Sequence, residues 1–218
     1  MITRILSICL LVFGLQAGSV FSQNQDTSAI HKVFTKYIDY AKESEGSKLV
    51  ELVSESTIDF YADMLYHTRF SKKKALQELG LVELLTVLMA RHTGDKEFIR
   101  SMGSDGEMFL SYLVDDGMVK PKDNLEMGEI EFDEALAKVQ VIHKGKPIPR
   151  NLMSFKFFWE DGAWKLDIMS ILNNAMVKYA LSQMLKETEM EKLEFIYFTL
   201  QYSSGDEVDK KRLWKPIK

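Results

Sequence analysis

The sequence predicts an α+β fold, in which helices come first and an antiparallel sheet of about four strands follows them. Before Pro121, apolar residues recur at helical spacing, whereas from there to Met169 they alternate with a period of two. Asp161-Gly162 lies between two alternating segments, where it favours a two-residue hairpin turn. Further helices are predicted as an insertion at residues 71–117 and as a tail at residues 173–216.

The N-terminus has the three parts of a secretory signal peptide. Arg4 is the basic start, residues 5–15 form the apolar run, and small residues follow up to Ser22. The run has 11 residues, whereas a membrane-spanning helix needs about 20. We therefore expect a signal peptide at residues 1–22, cleaved after Ser22 or alternatively after Ser19. The protein would then be periplasmic or secreted, with no stable membrane span after cleavage.

The amino-acid composition argues against a nucleic-acid partner and against disulfide bonds in the mature chain. Cys9, the single cysteine, lies in the predicted signal peptide, so a cysteine-free mature chain without disulfides is expected. That chain would carry 27 Lys and Arg against 32 Asp and Glu, an acidic balance that argues against a nucleic-acid partner. The basic runs at residues 72–74 and 210–212 are short and far apart in the sequence, and we interpret them as solvated helix faces.

The helical segments are predicted in order from spacing and capping residues. A first helix begins at Thr27, a short second one covers residues 48–53, and a third begins at Ser56, with Asp59 as its capping partner. The apolar side of the first helix is formed by Ile30, Val33, Phe34, Tyr37 and Ala41.

The insertion is predicted to contain three helices. Its first helix begins at Ser71, runs for about 20 residues and is apolar on most of its surface, so a partner element or a second copy should cover it. Residues 95–102 and 104–116 form the other two, and Ser104 with Glu107 makes a capping box.

The strands are predicted from the alternation of apolar and polar residues. Residues 128–132 and 135–141 are the first two, and residues 153–169 form a hairpin around Asp161-Gly162. The turn sets the register of the hairpin and places Asp167 opposite Lys156 on the outer face. The pairs expected on the inner face are Trp159 with Trp164, Phe157 with Leu166, and Phe155 with Ile168.

The tail is predicted as three helical pieces. Residues 173–187 form the first, Thr188 with Glu191 opens the second, and Asp209 caps a last turn. The sequence shows no repeat and no linker, which favours a single domain at residues 23–218.

The hairpin segment Phe-Phe-Trp-Glu-Asp-Gly-Ala-Trp-Lys-Leu-Asp, residues 157–167, resembles that of the nuclear transport factor 2-like superfamily. The resemblance covers about residues 27–70 and 124–172, and the insertion and the tail depart from it. It implies a cone-shaped fold, with the N-terminal helices packed in a curved sheet. The whole arrangement is similar to uncharacterised exported bacterial proteins of that fold.

The resemblance also implies where a site would lie. Members of the superfamily include cofactor-free isomerases and dehydratases that use an acid or histidine base and a tyrosine donor inside the cone. Tyr37 and Tyr61 are the candidate donors, although amphipathic core tyrosines are the alternative interpretation. No carboxylate is expected on the inner face of the hairpin. The ligand-pocket candidates are Tyr37, Tyr61, Met64, Phe155, Phe157, Trp159 and Trp164.

No catalytic residue, metal site or cofactor is assigned from the sequence. The four histidines lack metal-ligand spacing, the sequence has no Gly-x-Ser-x-Gly motif, and residues 103–106 lack the preceding strand that a phosphate loop needs. The sequence thus favours an exported, non-catalytic domain that binds a hydrophobic small ligand or a protein partner. A small isomerase or lyase with its site inside the cone and a homodimeric scaffold are the alternatives.

Overall fold

The computed structural model describes residues 26–119, 125–172 and 182–218. The predicted signal peptide and the start of the helix predicted at residues 173–187 lie outside these residues. Helix α1 (Thr27–Glu43) begins at Asp26, whose carboxylate accepts a hydrogen bond of 2.8 Å from the Ser28 N–H. The α1 face predicted from spacing is buried at Ile30, Phe34, Tyr37 and Ala41.

The next two helices begin earlier than predicted. Helix α2 (Gly46–Val50) starts at Gly46 because the carboxylate of Asp115 accepts a 2.6 Å hydrogen bond from the Gly46 N–H. Helix α3 (Glu55–Phe70) follows Ser54, so the predicted start at Ser56 is wrong. The Ser54 hydroxyl bonds to those of Ser56 and Thr57 rather than to the backbone.

The insertion forms four helices instead of three. The predicted 20-residue helix is divided at Gly80 into α4 (Lys73–Gln77) and α5 (Leu81–Thr93). Helices α6 (Lys96–Ser101) and α7 (Gly106–Asp115) follow. The predicted Ser104 cap of the last helix is also wrong, because the Asp105 carboxylate accepts the Met108 N–H at 2.9 Å.

An antiparallel sheet follows the insertion. Its long strands lie in the order β1 (Leu125–Asp133), β2 (Leu136–His143), β4 (Ser154–Glu160), β5 (Ala163–Asp167), and β3 (Lys146–Pro147) pairs with β2. A register shift interrupts the β1–β2 pairing between Met127 and Ile130. The α+β prediction and its sheet of about four long strands are confirmed.

The hairpin register is confirmed at Trp159–Trp164, Phe157–Leu166 and Lys156–Asp167. The expected Phe155–Ile168 pair is absent from the ladder, because the Ile168 N–H donates instead to the Thr57 hydroxyl at 3.1 Å. Asp167 shares the outer face with Lys156, as predicted, but it is not exposed to solvent there. Helix α8 (Met169–Leu172) follows at once, and the Asp167 side chain is buried.

The C-terminal helices cover the apolar helix α5. Residues 182–187 are helical, and α9 (Lys192–Ser204) and α10 (Lys210–Leu213) pack against α5. The predicted Thr188 cap is wrong, since Glu191 caps α9 in a capping box with Glu194. The Asp209 cap of α10 is confirmed, with its carboxylate accepting from Lys211 and Arg212 N–H.

One hydrophobic core joins the sheet, the insertion and the tail. It includes Phe155 of the sheet, Leu84 and Leu88 of α5, and Leu200 of α9, all fully buried. Among the described residues, no helix is long and apolar enough to cross a membrane.

Candidate ligand-binding site

The structure brings the predicted pocket residues into one core. Six of the seven are buried, and Trp159 is half-buried and packs against them. The rings of Phe34 and Phe155 lie 4.7 Å apart, so α1 rests directly on β4. Tyr37 projects from the same buried face of α1, one turn beyond Phe34.

Tyr37 and Tyr61 lie close together as polar groups within this core. They are 5% and 2% exposed, and no hydrogen bond from either hydroxyl is formed among the described residues. Burial raises the pKa of Tyr37 to about 12. Burial, with a smaller contribution from Tyr37, also raises the pKa of Tyr61. Both therefore stay protonated at neutral pH and can act as hydrogen-bond donors but not as bases.

Three aromatic residues form an aromatic trio at the turn end of the sheet. The Trp164 ring lies 5.4 Å from Trp159 and 5.8 Å from Phe132, measured between centroids. Phe132 and Trp159 are half-buried, whereas Trp164 is 2% exposed. The Trp164 indole N–H is buried and has no hydrogen-bond partner within the described part of the chain.

Sequence reasoning missed Phe132 as a member of this group. Its cross-strand neighbour on β2 is Ala137, which is itself paired with Phe157. The small side chain of Ala137 leaves room for Phe132 to reach across to Trp164. The pairing of a large aromatic residue with an alanine on one face of the sheet is the sequence pattern that could have identified Phe132.

Among the described residues, the buried carboxylate is that of Asp167. Asp167 Oδ1 accepts the Met169 N–H at 3.0 Å, and Lys156 faces Asp167 across the ladder. Burial raises the pKa of Asp167, while the Met169 hydrogen bond and Lys156 oppose that rise. Residues 26–119, 125–172 and 182–218 contain no group of three or more metal-ligating side chains.

The candidate residues therefore combine hydrogen-bond donors with apolar ring surfaces. Their polar groups are an indole N–H and two protonated phenols, set among aromatic rings. Comparisons of the chain with family models, with curated proteins and with solved structures found no match.

Proposed function

We propose that this protein is an exported, non-catalytic domain that binds a small hydrophobic ligand at the aromatic trio. The observation that carries the proposal is the buried Trp164 N–H, which has no partner among the described residues. A buried donor left unpaired costs about 1–3 kcal/mol. A ligand that places a carbonyl or ether oxygen against this N–H would recover that free energy while burying its own apolar surface.

The non-catalytic part of the proposal rests on Asp167. An isomerase of the nuclear transport factor 2-like type needs an acid or base within hydrogen-bond reach of its tyrosine. Here no hydrogen bond joins Asp167 to Tyr37 or Tyr61 among the described residues, and the Asp167 carboxylate accepts the Met169 N–H and faces Lys156 instead. The membership of that superfamily is part of the proposal. It is supported by the helices-first order and the hairpin motif at residues 157–167.

Export is supported by the sequence of the N-terminus alone. The basic start, the apolar run and the small residues up to Ser22 are the parts that a signal peptidase requires. N-terminal sequencing of the protein recovered outside the cytoplasm tests it. A first residue at Gln23, or at Val20 for the alternative site, supports export, and an intact N-terminus contradicts it.

Binding is tested by displacement of the neutral dye N-phenyl-1-naphthylamine with butyrophenone and with butylbenzene. These two compounds share one carbon skeleton, and only the first has a carbonyl. Replacement of Trp164 by Phe removes the N–H and keeps an aromatic ring. We expect the ketone-to-hydrocarbon affinity ratio to fall about fivefold in W164F, since one hydrogen bond is worth about 1 kcal/mol.

The matched control is W214F. Trp214 lies after α10, and its indole N–H donates to the Tyr197 hydroxyl at 3.0 Å. The affinity ratio should stay at the wild-type value in this variant. Equal losses in W164F and W214F, or no binding of either compound by the wild type, contradict the proposal.

A protein partner or a second copy is the second candidate for binding. Phe198 and Tyr202 on α9 stack at 6.1 Å between centroids and are 54% and 82% exposed. The apolar helix α5, which a partner element or a second copy is expected to cover, packs against α9 and α10 of the same chain. Light scattering of the purified chain tests self-association, and a concentration-independent monomer contradicts the homodimer.

A further inference from the structure

A concave site lies where the insertion meets the C-terminal segment. It is a cavity of about 200 Å³. Every charged residue that lines it is a cation, and we call this site the basic pocket. Its cations come from α5, α6, α10 and the segment after α10: Arg91, Lys96, Arg100, Arg212 and Lys215.

Arg91 forms the buried wall of the basic pocket and is 2% exposed. Its guanidinium donates to four backbone carbonyls, those of His67, Thr68, Ser71 and Leu213, at 2.7–3.3 Å. His67 and Thr68 lie in the last turn of α3 and Ser71 follows it, so these carbonyls are at the C-terminus of the helix, where the dipole supplies about half a negative charge. Within the described structure, no carboxylate forms an ion pair with Arg91.

The other cations repel one another across the basic pocket. Burial, followed by Arg212 and Arg100, lowers the pKa of Lys96. Asp209 opposes this effect, and its own pKa is lowered by the Arg212 N–H that it caps and further by the charges of Arg212 and Lys215, so this one carboxylate faces several cations. Arg100 Nε donates to the backbone oxygen of Lys218. The pocket therefore holds more positive charge than its own groups neutralise.

The pocket's surroundings fix its shape. Ile217 is 3% exposed, and its N–H donates at 3.3 Å to the Thr68 carbonyl, the same oxygen that accepts from Arg91 Nε at 3.0 Å. This shared acceptor holds the C-terminal wall against α3. A cavity of about 200 Å³ holds about seven waters at about 30 Å³ each, which suits a small molecule rather than a peptide helix.

We propose that the basic pocket binds the phosphate group of a small soluble molecule. A phosphate monoester carries about 1.5 to 2 negative charges at neutral pH and three acceptor oxygens. Arg100 and Arg212 supply planar guanidinium groups that match such oxygens in pairs, and Lys96 and Lys215 add point charges. This site is separate from the aromatic trio, so the inference is independent of the proposed function.

Isothermal titration calorimetry with pyrophosphate as the probe tests the inference. The variants R212Q and K96Q each remove one cation from the pocket, and we expect each to lower the affinity about tenfold or more. K211Q is the matched control, because Lys211 lies beside Arg212 on α10 but outside the lining. We expect K211Q to bind pyrophosphate within about twofold of the wild type.

Three further titrations distinguish the binding of a soluble phosphate compound from the binding of other anions and of phospholipid vesicles. Citrate, inorganic phosphate and vesicles containing phosphatidic acid are titrated under the same conditions. Tight pyrophosphate binding with weak citrate and vesicle binding supports the inference. Citrate or vesicles that bind as tightly as pyrophosphate, equal losses in K211Q and R212Q, or no binding at millimolar pyrophosphate overturn it.

Discussion

Two charged residues have roles that depend on distant parts of the chain. In the sequence, Arg91 lies within an apolar helix, and its charge there argues only against a membrane span. Its four acceptors come from α3, from the residue after α3 and from α10, so only the tertiary fold defines its role. Asp167 alternates correctly to the outer face, but the turn into α8 covers it.

Replacement of Asp167 by Asn is expected to alter the pH dependence of stability. Because burial raises the folded-state pKa above the ordinary 3.8, the stability contributed by Asp167 is present below that value. It is lost as the pH rises through the folded-state pKa. The free energy of unfolding of D167N should therefore rise relative to the wild type as the pH increases from about 4 to about 7.

Urea unfolding of both proteins at several pH values measures that difference. The amide oxygen of Asn can still accept the Met169 N–H, so the turn into α8 has its hydrogen bond in both proteins. A difference that moves in the opposite direction would show that Lys156 and the hydrogen bonds outweigh the burial of Asp167.

At the scale of elements, the sequence correctly predicted the turns and caps that depend only on neighbouring residues. The Asp161-Gly162 turn and the Asp209 cap each depend on a few adjacent residues. Errors arose where neighbouring residues competed for one role, as when Asp105 caps α7 in place of Ser104. The start of α2 could not be predicted, because its capping carboxylate is Asp115, 69 residues away.

Two glycines allow α7 to pack closely against α2 and α3. A Cβ at Gly46 would lie 2.7 Å from the Ser111 Cα, and one at Gly106 would lie 2.8 Å from the Ala62 N. In G46A and G106A the backbones must move apart, so we expect each to lose about 1–3 kcal/mol of unfolding free energy. Urea unfolding measures the loss.

The control for these variants is S47A, at the exposed position next to Gly46. Its unfolding free energy should stay within about 0.5 kcal/mol of the wild type. Alanine is the better helix former, so a stabilised G46A or G106A would mean that helix propensity outweighs the close contact.

On the scale of the whole molecule, charged segments that are far apart in the sequence lie close together in the fold. The basic runs at residues 72–74 and 210–212 looked unrelated, yet the Lys73 ammonium lies 5.2 Å from the ring of Trp214, just after α10. Arg212 of the second run lines the basic pocket. Long-range packing of the tail on α5 brings these charges together, and no local pattern encodes it.

The shared core predicts that the sheet, the insertion and the tail unfold together. In W214F the remaining tryptophans, Trp159 and Trp164, report on the sheet, while far-ultraviolet circular dichroism reports mainly on the helices. Because one core joins these parts, the two signals should have the same urea midpoint, as a two-state transition requires. Wild-type circular dichroism checks that W214F itself leaves the transition intact. Loss of the helical signal at lower urea than the fluorescence change would show that the tail or the insertion unfolds separately, and would contradict the single domain predicted for residues 23–218.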